Sequence, residues 1–211
     1  NYGAENPDDV GFADVREAQR LFFMNTKNVG MVVQYDVNTS NPGAIHYSNK
    51  LDPGKRLALW ALANQYGKKV AYTGPIYKSH SIKGDTVRVQ FEQRGEGAGL
   101  MVGSKGDEKS QTFVGPAKEV TGVPLKTFRL AGKDGVWHAA EAVIEGEEVV
   151  VRCKEVSEPV GVQYAYSASP VSANLYNKAG LPATPFAYFD GKQVFKDKPT
   201  RLAMEGDTED S

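Results

Sequence analysis

Val29-Gly30-Met31-Val32-Val33-Gln34-Tyr35-Asp36-Val37 is an apolar run of strand length. Its continuous hydrophobicity suits a strand buried on both faces, as in a parallel sheet. A helical pattern precedes it over residues 8–24, where Asp8 or Asp9 can cap the start and Val15, Ala18 and Phe22 recur at helical spacing. A loop rich in Asn, Ser, Pro and Gly follows over 38–43. The next helix opens with Asp52 as N-cap and Pro53 at the first helical position. Its run Leu57-Ala58-Leu59-Trp60-Ala61-Leu62-Ala63 is apolar on nearly all sides, which predicts burial on more than one face. Gly67 is the natural stop, with Lys68 and Lys69 near the negative end of the helix dipole. Helix, buried strand, loop and helix read as the end of an α/β unit. One strand with two helices cannot bury its own sheet edges, so partner strands from a missing N-terminal portion are expected.

After Gly67 the texture changes to short alternating runs between turns. Thr86-Val87-Arg88-Val89-Gln90-Phe91 alternates after the turn Lys83-Gly84-Asp85. Thr127–Gly132 precedes a turn at Lys133-Asp134-Gly135, residues 142–152 have the form of a hairpin about Glu145-Gly146-Glu147, and Val160–Tyr166 reads as a further strand. Frequent short strands predict an antiparallel β-sandwich-like module. The Gly-rich, charged stretch 95–109 reads as a loop or a long hairpin tip. The expected organisation is an α/β part over residues 1–70, an all-β module over 71–189 and a polar, flexible tail over 190–211.

The 211 residues carry 25 basic and 26 acidic side chains, a formal net charge of -1. No basic stripe stands out that would track a phosphate backbone, so nucleic acid is not an expected partner. No run of about 18 apolar residues occurs, so no membrane span is expected. The start of the chain has neither an initiator Met nor the regions of a signal peptide, and reads as processed or truncated. The single cysteine, Cys153, excludes an internal disulfide and a cysteine-rich zinc site. The three histidines are widely spaced and sit in no cluster with ligand spacing, so neither a metal nor another cofactor is expected.

Between the predicted strand and the second helix stands Ala44-Ile45-His46-Tyr47-Ser48-Asn49-Lys50. A histidine there is placed as the general base of many hydrolases is, since imidazole takes and returns a proton near neutral pH. The stretch resembles the Asp-Ile-His-Pro-x-Asn-Lys segment of the sialate O-acetylesterases, members of the SGNH hydrolases. The helix from Gly54 to Ala63, Tyr66-Gly67-Lys68, Tyr72-Thr73-Gly74-Pro75-Ile76-Tyr77-Lys78 and Asn174–Phe186 match the same family in order and spacing. The resemblance covers roughly residues 12–187 and is to the C-terminal part of such enzymes.

It implies a fragment of a flavodoxin-like α/β/α hydrolase domain followed by the β-module. It also implies hydrolysis of an O-acetyl ester on sialic acid or a related acetylated sugar, in a secreted, periplasmic or lysosomal compartment. A Ser would attack the acetyl carbonyl, His46 would take its proton, and a carboxylate would orient the imidazole. The family carries that Ser in a Gly-Gln-Ser-Asn-type segment near the start of its catalytic domain. No such segment occurs in this chain, nor does Gly-x-Ser-x-Gly. The nucleophile is thus expected on a missing segment or a second subunit, with this chain inactive alone.

The Asp expected before the His is Ala44. Asp36, at the C-terminal end of the predicted strand, can orient His46 if the loop folds back, or can hold a structural place there. Tyr164, Tyr166 and Tyr176 can form a sugar-stacking platform or core. His80 reads as a surface residue, and His138 and Cys153 as structural ones. Two rival readings remain: a non-catalytic carbohydrate-binding or bracing β-module, and an acetylesterase acting on another polysaccharide such as acetylxylan.

Overall fold

The computed structural model describes Asn6 and residues 8–37, 46–106 and 114–194. Two α-helices, α1 (Ala13–Asn25) and α2 (Leu51–Asn64), flank a short 3-10 turn at Tyr35–Val37. Twelve strands follow: β1 (Ile76–Lys83), β2 (Thr86–Glu92), β3 (Leu100–Ser104), β4 (Lys118–Glu119), β5 (Phe128–Ala131), β6 (Trp137–Ala139), β7 (Glu141–Glu145), β8 (Glu148–Arg152), β9 (Gly161–Tyr164), β10 (Leu175–Asn177), β11 (Phe186–Phe189) and β12 (Lys192–Gln193). They form three antiparallel sheets, ordered β1-β2-β8-β7, β10-β3-β4 and β12-β11-β9-β5-β6.

The period-2 pattern does what it promises. Val87, Val89 and Phe91 of β2 point inward, as do Val149 and Val151 of β8. They meet Phe128, Leu130, Val162, Tyr164 and Phe186 from the other large sheet in one core. The hairpin about Gly146 closes as read: Glu145 pairs with Glu148, and Gly146 takes φ +64°, which suits the first loop residue of a two-residue hairpin. Tyr164, Tyr166 and Tyr176 are all buried, so the core reading of these rings holds and the stacking platform does not. The predicted tail beyond residue 194, Ala44 in the His46 loop and part of the Gly-rich stretch lie outside the described residues. Within that stretch, β3 replaces the expected loop from Leu100 onward.

The α/β end departs from expectation. No strand of the described residues pairs with 29–34, and the segment runs without regular structure into the 3-10 turn. A strand exists as such only through its ladder, and here side chains of α2 take its place. Trp60 Nε1 donates to Met31 O at 2.9 Å and Arg56 Nη1 to Val33 O at 2.5 Å. The first helix starts at Ala13 rather than residue 8, because Asp9 is bound elsewhere: its carbonyl accepts from Ala168 N–H at 2.6 Å.

Both helices turn polar residues inward. The buried face of α1 holds Glu17 and Arg20, joined at 2.7 and 2.8 Å, while Val15 and Phe22 are exposed. In α2 the buried residues are Asp52, Pro53 and Arg56, while Leu57 and Leu62 are exposed. Asp52, Arg56 and Trp60 share one helix face at i, i+4 and i+8, and each makes a polar contact to the rest of the chain. The expected burial of α2 on several faces is not met among the described residues. Gly67 ends the turn after α2 as read, at φ +63°, with Lys68 N–H bonded to Leu62 O.

Candidate active site

His46 stands exposed at the described start of the loop into α2, and among the described residues it makes no hydrogen bond or ion pair. Its neighbours are anchored. Tyr47 Oη donates to Gln34 Oε1 at 2.7 Å, tying the loop to the 29–34 segment, and Lys50 Nζ lies 3.6 Å over the Tyr47 ring. Asn49 is buried and forms a reciprocal pair with Asp52: Asp52 N–H donates to Asn49 Oδ1 at 3.1 Å and Asn49 Nδ2 to Asp52 Oδ2 at 2.8 Å. Asn49 therefore does the capping that the sequence assigned to Asp52.

Asp52 is bound from the β-module as well. Lys105, which follows β3, donates its ammonium to Asp52 Oδ2, and Gly115 N–H donates to Oδ1 at 2.8 Å. Burial opposes ionisation of Asp52. The hydrogen bonds from Lys105 and Asn49, the Lys105 charge and the Gly115 amide together outweigh it and hold the carboxyl below its ordinary range.

Asp36 is committed to α2. Arg56 clamps it with two parallel bonds of 2.7 Å, both side chains are buried, and the Tyr176 hydroxyl bonds the same carboxylate. No hydrogen bond joins Asp36 to His46, so the orienting-acid reading is not what this geometry offers. The oxygens of Asp36 are held by the Arg56 guanidinium and the Tyr176 hydroxyl. Sequence reasoning missed Arg56 as its partner, although two charges 20 residues apart on a strand end and the following helix were a signal for it. The adjoining Tyr35 and Tyr164 hydroxyls lie 3.3 Å apart, and burial pushes both phenols well above their ordinary range.

Beside Tyr47 a cleft of about 250 Å³ runs between α1 and residues 31–35. Val15, Arg16, Gln19, Val32, Gln34 and Tyr47 line it. The solved structures hold one similar chain of particular interest, with a TM-score of 0.71 and 33% sequence identity.

That chain is a carbohydrate acetylesterase from Xanthomonas citri. The match covers 88% of the present chain and 38% of the other, so the present chain spans well under half the length of the acetylesterase it resembles. This likeness relates the chain to carbohydrate esterases. No family model matches the chain, and no curated protein does.

The other histidines are elsewhere. His80 is half-buried rather than a surface residue. Its Nδ1 lies 2.7 Å from Tyr77 Oη, beside the stacked rings of Tyr77 and Tyr188, and burial lowers its pKa. Cys153 is buried, its thiol directed at Ala139 O and Glu155, and desolvation raises its pKa; both facts suit a structural thiol. Among the described residues no group of three His, Cys, Asp or Glu side chains could hold a metal ion.

Proposed function

We propose that this chain is the C-terminal part of a carbohydrate acetylesterase of the sialate O-acetylesterase type, and that His46 is its general base. The observation that carries the reading is the 33% identity over 88% of the chain to a carbohydrate acetylesterase. The exposed imidazole of His46, without a hydrogen-bond partner among the described residues and on a loop anchored at both Tyr47 and Asn49, supports the assignment of the base.

The nucleophilic Ser would come from an α/β segment outside this chain, as one protein or as a second subunit. The unpaired apolar segment 29–34 and the exposed apolar residues of α1 and α2 support such a partner, because unpaired backbone and apolar stripes are what an α/β layer would cover. On this reading residues 1–70 complete the hydrolase domain and residues 71–189 brace it.

In the reaction, the Ser hydroxyl attacks the acetyl carbonyl while His46 takes its proton. The tetrahedral intermediate collapses, the sugar oxygen leaves with the proton from His46, and acetyl-Ser remains. Water, deprotonated by His46, then attacks the acyl carbonyl; acetate leaves and the Ser oxygen regains its proton. The substrate would be an O-acetylated sialic acid or a related acetylated sugar, met in a secreted, periplasmic or lysosomal compartment. No cofactor enters this chemistry.

The test is turnover by the natural full-length protein of a generic acetyl ester, O-acetylated sialic acid and acetylxylan. Sialate turnover is expected, with His46→Ala lowering kcat by about 10²–10⁴-fold. Hydrolysis of acetylxylan alone would overturn the sialate assignment. An unchanged rate in His46→Ala would remove His46 from the reaction, and no turnover of any ester would leave the bracing role as the function.

A further inference from the structure

We propose that Lys105 and the Gly115 amide, both supplied by the β-module, are positioning residues for His46, acting through the buried pair Asp52–Asn49. The inference rests on the reading of His46 as the base, and it gives the β-module a part in the reaction beyond bracing.

The strap that Lys105 and the Gly115 amide form on Asp52 rises from paired backbone of the β-module. Lys105 directly follows β3, which pairs with β10 through Leu100 to Val102. Gly115 lies two residues before Ala117, whose N–H bonds Gly180 O at 3.1 Å. From this base the ammonium of Lys105 and the N–H of Gly115 reach across to the two oxygens of Asp52. Asp52 in turn holds Asn49, three residues after His46, through two bonds of 2.8 and 3.1 Å. Asn49, Asp52 and Lys105 are all nearly inaccessible to solvent. A buried carboxylate that loses its charge partner is strongly penalised, which favours the arrangement with Lys105 in place.

The His46 side chain has no orienting bond of its own among the described residues. Among the described residues, the backbone on its C-terminal side is what carries the position of the imidazole. Tyr47 on Gln34 fixes one point and Asn49 on Asp52 the next, and Lys105 and the Gly115 amide hold the two oxygens of Asp52. Displacing a base by about 1 Å from outside the site can cost about 100-fold in rate.

The experiment compares the natural full-length protein with its Lys105→Met and Lys105→Arg variants. Lys105→Met should lower kcat for an acetyl ester about 10- to 100-fold while KM stays within about two-fold, with partial recovery in Lys105→Arg. Amides of residues 46–52 should exchange hydrogen at least about ten-fold faster in Lys105→Met, with those of β9 and β11 unchanged. Unchanged kcat, or an effect confined to KM, would overturn the proposal. If Lys105→Met does not fold, Asp52→Asn takes its place: it keeps the side-chain shape and the acceptor for Gly115 but sets a donor against Lys105 and Asn49, so the same loss of kcat and faster exchange over 46–52 are expected. Should the wild-type protein turn over no acetyl ester, the esterase reading fails by itself. The exchange comparison then decides the strap, and equal exchange in the two proteins refutes it.

Discussion

Asp36→Ala should destabilise the chain by about 3–5 kcal/mol, because it strands a buried guanidinium. The magnitude comes from the geometry: Arg56 donates two bonds of 2.7 Å to Asp36, and both side chains are nearly inaccessible to solvent. Two charge-assisted bonds at about 1.5–3 kcal/mol each give a similar sum. For a chain of this size each kcal/mol moves the melting temperature by about 2–4 °C, so a fall of about 6–20 °C is expected. The assay is thermal and urea unfolding of the wild type, Asp36→Ala and the double variant Asp36→Leu with Arg56→Met. The double variant should recover most of the loss, since it removes both charges instead of one. A single-variant loss below about 1 kcal/mol would refute the anchoring role, as would a double variant no better than Asp36→Ala. A stable Asp36→Ala that had lost turnover would return Asp36 to the site as a carboxylate of the reaction.

Two further outcomes follow from the packing. A Cβ at Gly74 would lie 2.0 Å from Pro182 O and 2.7 Å from Leu181 O, both main-chain atoms that cannot swing aside. Gly74→Ala should therefore cost at least about 1–3 kcal/mol, read as a lower urea midpoint, and an unchanged midpoint would show that the two segments are not in this contact. Burial lowers the pKa of His80, so between the unfolded value of about 6.5 and the lower folded value the unfolded chain binds more protons. The stability tied to neutral His80 is thus complete above about pH 6.5 and is lost as pH falls through its folded pKa. Urea midpoints across this window should show a weaker slope in His80→Gln than in the wild type, and equal slopes would contradict the burial of the ring.

The β-module was legible in the chain because its signals are local. Alternation in Thr86–Phe91 and the Gly146 turn each specify their own geometry within a few residues, and β2, β7 and β8 formed where they were read. Strands β1, β10 and β11 were harder, since His80, Asn177 and Tyr188 interrupt the apolar pattern with groups that meet distant residues: the Tyr188 ring, the Thr73 carbonyl and Arg20. His46 was found by its place in a motif. Its surroundings were not, because Asp52, Lys105 and Gly115 are brought together across 53 and 63 residues of chain. The exchange of Asp52 for Asn49 as cap has the same origin: Asp52 is a good N-cap by residue type, but Lys105 and Gly115 already occupy its oxygens.

By itself, the sequence determined that two helices precede a run of short strands, where the hairpin about Gly146 turns, and that a histidine stands ahead of the second helix with no Gly-Gln-Ser-Asn-type segment in the 211 residues. Only the tertiary structure decided which face of each helix is covered. Periodicity shows that α1 and α2 carry apolar residues, but not which side finds a partner. Among the described residues the covered side of α1 joins Ala13 and Phe23 to the pair Glu17–Arg20, and that of α2 holds Asp52, Pro53 and Arg56, the last clamping Asp36. The reason is physical: a hydrogen-bond or charge requirement is met by one particular distant group, whereas apolar surface is satisfied by any cover.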